Sequence, residues 1–174
     1  GTGDGCSAYG NRNFWRMFND WFGSTNGDLV RTPNDAKIYL LSGENKYPIS
    51  NQRVLNDFSR LGPIRYVTDQ VMSSYTTQPS LSNMVQKNGG SLYIVNASIK
   101  MSLSSCSGDV AAYGYTCASG QYSALTDSQI QKLSNGPGAT RLIKPKNSSS
   151  IYYIENGKKR PVASLIDVQR INGN

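Results

Sequence analysis

The sequence predicts an α+β domain built from three sequence repeats, each a short antiparallel β meander with short helices, in a pseudo-threefold arrangement. Three observations carry this expectation. The segments KIYLLSGENKYPIS (37–50), SLYIVNASIKMSLS (91–104) and SIYYIENGKKRPVA (150–163) align without a gap. YVTDQVMSSYTTQPSLSNMV (66–85) aligns equally well with ALTDSQIQKLSNGPGATRLI (124–143). Each hairpin also leads into a short apolar-periodic stretch or, in the second copy, a cysteine loop. Self-similarity at a fixed period is the signature of a repeat architecture. A mainly-β propeller-like ring and an open array are the alternative arrangements of such units.

Each element has a local reason. Phe14, Trp15, Met17, Phe18, Trp21 and Phe22 form the stripe of an amphipathic helix that Gly23 stops. In the hairpins Tyr39, Tyr93 and Tyr152 share one column and Lys46, Lys100 and Lys159 a second, while Val30, Met84 and Ile143 align upstream. Val54, Leu55, Phe58 and Leu61 predict a second helix, capped by Ser50 or Asn51 and ended by Gly62-Pro63, with the short strand IRYVT after it. Thr68 and Thr126 are N-caps, Asp69 and Asp127 favour the positive helix end, and Pro79 and Pro137 mark the exits. SLIDVQRI (164–171) repeats the second helix.

Residues 1–174 therefore read as one repeat domain with units at about 13–67, 68–125 and 126–174. The third unit lacks its last strand. Either residues 1–12 supply that strand and close the array into a ring, or the array continues in a longer parent protein.

Composition narrows the class. Hydrophobic residues are 37% and charged residues 17%, and Gly, Ser, Asn and Tyr are abundant, as in turn-rich extracellular β proteins. The apolar runs are too short for a transmembrane helix. A net charge of +7 fits an anionic partner, but the basic residues are spread thinly, with KPK (144–146) and KKR (158–160) the tightest groups. That footprint argues against nucleic acid. Cys106 and Cys117 are too far apart for a CxxC site, and a local disulfide between them would add roughly 2–3 kcal/mol and place the chain in an oxidising compartment. Cys6 is left over.

Chemistry is constrained by what is missing. The chain has no histidine, which removes Ser-His and Cys-His nucleophile pairs and most zinc sites. No catalytic residue, metal ligand or cofactor motif stands out. Eleven carboxylates remain, but Asp69 and Asp127 serve as helix starts, Asp20, Asp57 and Asp167 fall on polar helix faces, and Asp35 and Glu44 belong to turns. A wall hydrolase with an unrecognised carboxylate pair is thus a distant alternative. The tyrosine column reads as core. The lysine column, with Arg160 beside it, reads either as repeated anion contacts or as protection of exposed sheet edges.

CSAYGNRNFWRMFNDWFGS, LVRTPNDAKIYLLSGENKYPIS, the YVTDQ step and the YIENGKKRPV hairpin together resemble the repeat region of secreted bacterial cell-wall proteins, which often accompanies a peptidoglycan hydrolase of amidase or lysozyme type. The resemblance spans essentially the whole chain. It implies a non-catalytic, secreted or cell-surface module that binds peptidoglycan or an anionic wall polysaccharide, with Lys46, Lys100, Lys159 and Arg160 as candidate ligand contacts. A structural spacer or adhesive stalk is the alternative from another class. The second hairpin departs from the pattern, with Ala97 beside the usual Gly and Ser102 in place of Pro, so it is expected to be the weakest contact.

Overall fold

Apolar residues facing both ways along the hairpin strands decide the architecture, because each sheet must then be covered on two faces. The computed structural model describes residues 28–104, 109–118 and 121–171. In chain order these form β1 (Leu29–Arg31), β2 (Tyr39–Ser42), β3 (Asn45–Pro48), α1 (Gln52–Asp57), a 3-10 turn (Ser59–Leu61), β4 (Arg65–Tyr66), α2 (Asp69–Ser73) and β5 (Thr76–Thr77). There follow β6 (Met84–Lys87), β7 (Leu92–Asn96), β8 (Ile99–Leu103), α3 (Asp109–Ala112), β9 (Ser123–Leu125), α4 (Asp127–Lys132) and β10 (Ser134–Asn135). The chain then forms β11 (Leu142–Ile143), β12 (Tyr152–Glu155), β13 (Lys158–Pro161) and α5 (Leu165–Ile171).

The strands build three open sheets, of order β4-β1-β2-β3-β5, β9-β6-β7-β8-β10 and β11-β12-β13. The fold is mixed, with antiparallel meanders and short helices. In the first two sheets the meander is flanked on both edges by parallel strands, and those two strands are joined through a capped helix. Residues 65–77 thus close the first sheet and residues 123–135 the second. The sequence units interlock, since β5 lies beyond residue 67 and still belongs to the first sheet.

The hairpins share one register. Tyr39, Tyr93 and Tyr152 stand opposite Pro48, Ser102 and Pro161, and Lys46, Lys100 and Lys159 opposite Leu41, Val95 and Ile154. One column is corrected. Val30 and Ile143 pair with their tyrosines, but in the second sheet Val85, not Met84, stands opposite Tyr93. The connection through Gly89 and Gly90 is one residue shorter there. The turns also differ. Asn156 and Gly157 both have positive φ, as a type I′ turn requires, and so do Ala97 and Ser98 in the second hairpin, whereas Gly43 does so alone in the first.

The faces of each sheet go to different cores. Leu29, Leu40, Tyr47 and Phe58 join Val85, Val95, Leu125, Ile130 and Leu133 in a core shared by the first two sheets. On the opposite face of the first sheet, Val30 and Leu41 meet Val67, Val71, Met72 and Tyr75. Met84, Leu92, Ile94 and Leu103 form a third core with Val110 and Ala139, and the half-buried Cys117 packs against it. Tyr39 and Tyr93 pack against these cores while only partly buried.

Helices of five or six residues do not hold themselves, because nucleation is costly. Here both ends are capped. Thr68 Oγ1 accepts from Val71 N at 3.2 Å, and Thr126 forms a reciprocal capping box with Gln129. At the other end the lysine column acts. Lys46 Nζ donates to Met72 O at 2.8 Å. Lys100 Nζ donates to Ile130 O at 2.7 Å and Leu133 O at 3.0 Å. Met72 and Ile130 occupy the same place in their aligned segments. A cation at a helix C-terminus also meets the negative end of the dipole. β3 and β8 are paired on both sides, so Lys46 and Lys100 do not protect exposed edges.

The expected helix over 14–22 lies outside the described residues, as does Cys106. Cys117 is disulfide-bonded. Among the described residues no helix is long and apolar enough to cross a membrane.

Replacing Lys100 by Met should lower the unfolding free energy by about 1–3 kcal/mol, since it removes charge-assisted bonds to two carbonyls. Lys132→Met, which removes a solvent-screened pair with Asp28 at 3.1 Å, should cost less than about 1 kcal/mol. Urea denaturation of the two variants compares them directly; equal losses would refute the capping role.

Candidate functional site

A cleft of about 370 Å³ opens where α1, the second hairpin and the third hairpin converge. Its walls carry Asn51, Arg53 and Asp57 from α1 and its cap, Asn83 and Asn96 from the second meander, and Tyr113 and Tyr115 from the loop after α3. Val95, Met101 and Ile154 supply the apolar floor.

Asp57 organises this region. It is 7% exposed, and its carboxylate accepts Asn83 Nδ2 and Ala97 N, both at 2.9 Å. Asn83 Nδ2 also donates to Val95 O at 2.8 Å. The Asp57 carbonyl accepts Ser98 N at 2.9 Å, and Ser98 Oγ accepts Arg60 N at 3.2 Å. The second hairpin turn is therefore docked on the end of α1, and that support sustains positive φ at Ala97 and Ser98 without glycine. Asp57 was expected on a polar helix face; it is buried because the turn of another unit covers it.

The aromatic wall is fixed as firmly. Tyr115 N donates to Val110 O at 3.1 Å, and Tyr113 Oη donates to Thr140 O at 2.8 Å. Gly114 and Gly157, at φ of +82° and +71°, let the two loops touch: a Cβ on either would lie 3.2 Å from backbone of the other loop. Gly157 N bonds to Ala112 O at 2.9 Å. Burial pushes the Tyr115 phenol above its ordinary value of 10.0; Arg53 pulls it back and Asp57 adds to the rise.

The sequence-based candidates lie elsewhere. Lys46 and Lys100 are half-buried, and their ammonium groups point at helix carbonyls. Lys159 is exposed and stands 5.0 Å above the Tyr152 ring. Arg160 Nε pairs with Glu155 at 2.9 Å on the open surface. These four residues do not converge on one site. Of the cleft residues, Tyr113 and Tyr115 lie between Cys106 and Cys117, where no local sequence pattern marks them as part of a site. The non-glycine turn Ala97-Ser98 was the one sequence signal of tertiary support nearby. Among the described residues no acidic or cysteine cluster is arranged to hold a metal ion.

No protein-family model matches the chain, and no curated protein sequence does. Among solved structures the chain is similar to a chain of the periplasmic assembly from the ESX-5 inner membrane complex, at 11% identity and TM-score 0.32, over 88% of this chain and 57% of that one. A chain of the intact ESX-5 inner membrane complex gives 9% identity and TM-score 0.31, over 91% and 51%. The chain spans a little over half the length of these solved chains. A likeness of this size carries no conclusion about fold or function.

The half-buried Tyr115 phenol gives a pH test. Its neutral form is favoured by folding, so this stability is complete below the ordinary phenol value of 10.0 and is lost as pH rises above it. An ultraviolet titration of the folded protein should contain a step above the ordinary phenol value of 10.0, and Tyr115→Phe should remove it. A titration unchanged by the substitution would contradict the burial.

Proposed function

We propose that this chain is a non-catalytic module, secreted or displayed at a bacterial cell surface, that binds a cell-wall or surface glycan in the cleft between its units. The carrying observation is the pairing of Tyr113 and Tyr115 with the amides of Asn51 and Asn96 and the guanidinium of Arg53 around one concavity. Sugar rings present apolar faces to aromatic rings and hydroxyls to planar polar groups, and a site of this make-up serves both. Arg53 and the net charge of +7 favour a carboxylate- or phosphate-bearing polymer. A pseudo-threefold set of meanders, with Cys106 and Cys117 joined, is the arrangement we assign to the array. Asp57 is held by Asn83 and Ala97, which leaves it a positioning group rather than an acid or base.

Spacer or stalk is the second reading, favoured by the exposed outer strand β13 of the third sheet.

Pull-down on purified cell walls tests the proposal. Tyr115→Ala and Arg53→Ala should each weaken binding roughly tenfold, the scale of about 1.4 kcal/mol for a lost contact. Added salt should weaken the wild type more than Arg53→Ala, since exposed charges are screened. Loss of binding on changing Lys159 and Arg160 alone would move the site to the lysine column. A wild type that binds no wall preparation would leave the spacer.

A further inference from the structure

Five asparagines are followed directly by glycine, and the structure describes three of these pairs: Asn88-Gly89, Asn135-Gly136 and Asn156-Gly157. An asparagine amide is at its most reactive in this setting. Glycine has no side chain to shield its own nitrogen, and that nitrogen can close a ring on the asparagine side-chain carbon. By sequence the three pairs are alike. In the fold they are not.

Two of the three nucleophiles are tied down. Gly136 N donates to Lys100 O and Gly157 N to Ala112 O, both at 2.9 Å. The space around them is also closed: a Cβ on Gly136 would lie 2.6 Å from the Ile99 side chain, and one on Gly157 3.2 Å from Tyr113 O. Ring closure needs an N–H that can give up its proton and a backbone that can rotate. Neither is available at these two pairs until the segment opens locally. Asn88-Gly89 is the opposite case. Its turn is closed by Gly90 N donating to Lys87 O, which leaves Gly89 N with no acceptor among the described residues. Nothing lies within 4 Å of a Cβ built on Gly89, and Asn88 and Gly89 are both exposed.

We infer that Asn88 is a site of spontaneous deamidation, and that its isoaspartyl product loosens the second sheet. Gly89 N attacks Asn88 Cγ, the Cγ–Nδ2 bond breaks, and Nδ2 leaves as ammonia with the proton from Gly89 N. The product is a cyclic imide spanning the two residues. Water then opens the ring at either carbonyl. One opening gives aspartate; the other gives isoaspartate, with the main chain rerouted through the β-carbon. No oxidant, cofactor or second protein takes part.

The position gives the change its consequence. Asn88 N donates to Leu125 O at 3.2 Å and so ties this turn to β9. Isoaspartate adds a methylene to the main chain inside the short connection that sets Val85 opposite Tyr93. Val85 and Leu125 both lie in the core shared by the first two sheets. The new carboxylate lies on a groove of about 300 Å³ whose walls include Glu44, Thr76 and Thr126. It also follows Lys87 in the chain, whose Nζ pairs with Asp127 at 3.5 Å. This site is separate from the glycan cleft and does not depend on that reading.

The test is to age the full chain in mildly alkaline buffer, digest samples at acid pH, and follow each asparagine by mass spectrometry. Asn88 should convert at least about tenfold faster than Asn135 and Asn156, which must wait for local opening. In concentrated urea the three rates should converge. Equal rates in the folded chain, or a faster Asn135 or Asn156, would overturn the inference. So would a lead for Asn88 that persists undiminished in urea, since flanking sequence rather than the fold would then set it. The isoaspartyl form, separated by cation exchange, should unfold at a lower urea concentration than the unmodified chain. An unchanged midpoint would overturn the coupling to the second sheet.

Discussion

The rest of the structure depends on a lysine ammonium group set against the carbonyl end of a short helix. α2 and α4 are too short to persist alone, and each must lie across a meander for that sheet to gain its two outer strands. Lys46 and Lys100 hold them there from the sheet side, while threonines hold the opposite ends. Without this contact the edge strands lose their anchor, because Thr76–Thr77 and Ser134–Asn135 bring no apolar side chain of their own. One charged hydrogen bond thus links helix position to sheet completeness.

Interlocking follows from the same geometry. Because α2 and α4 come from the chain beyond the meanders that they cover, neither of the first two meanders is finished by its own sequence alone. The first two sheets also share a core, and α4 reaches the first sheet through Gln129, whose Nε2 donates to Leu41 O at 2.6 Å in a buried setting. The cleft is a product of this assembly: α1, the Ala97-Ser98 turn and the Gly157 turn bring its walls together only when the units are joined. A ligand in that cleft would touch parts of all three meander regions at once, so binding would stabilise the joined array.

Much of the fold was legible in the sequence. Gapless alignment of the three segments disclosed the hairpins, and the Thr-Asp starts disclosed the helices, because both signals are read along the chain. The lysine column was visible as a column, but its role was not, since nothing in the sequence states the distance from Lys100 to Ile130 O. The outer strands β5 and β10 were hidden for a related reason. They are two residues long and polar, and backbone pairing defines them rather than side-chain pattern. Asp57 was misread because its neighbours Gln52, Arg53 and Asn56 are polar, while the groups that bury it, Asn83 and Ala97, lie far along the chain. The candidate site was the least legible part. Its aromatic wall depends on the close approach of Gly114 to Gly157, and two separate loops cannot announce that contact.

Amide hydrogen exchange on Lys100→Met tests the lysine clamp most directly. The account predicts that the amides of Ile130, Leu133, Ser134 and Gly136, which are bonded within α4 or to the edge of β8, lose protection together. Those of Met72 and Thr76 in the first sheet should keep theirs, as their own clamp is Lys46. Protection that is unchanged at Ser134 and Gly136, or that falls equally in both sheets, would contradict it.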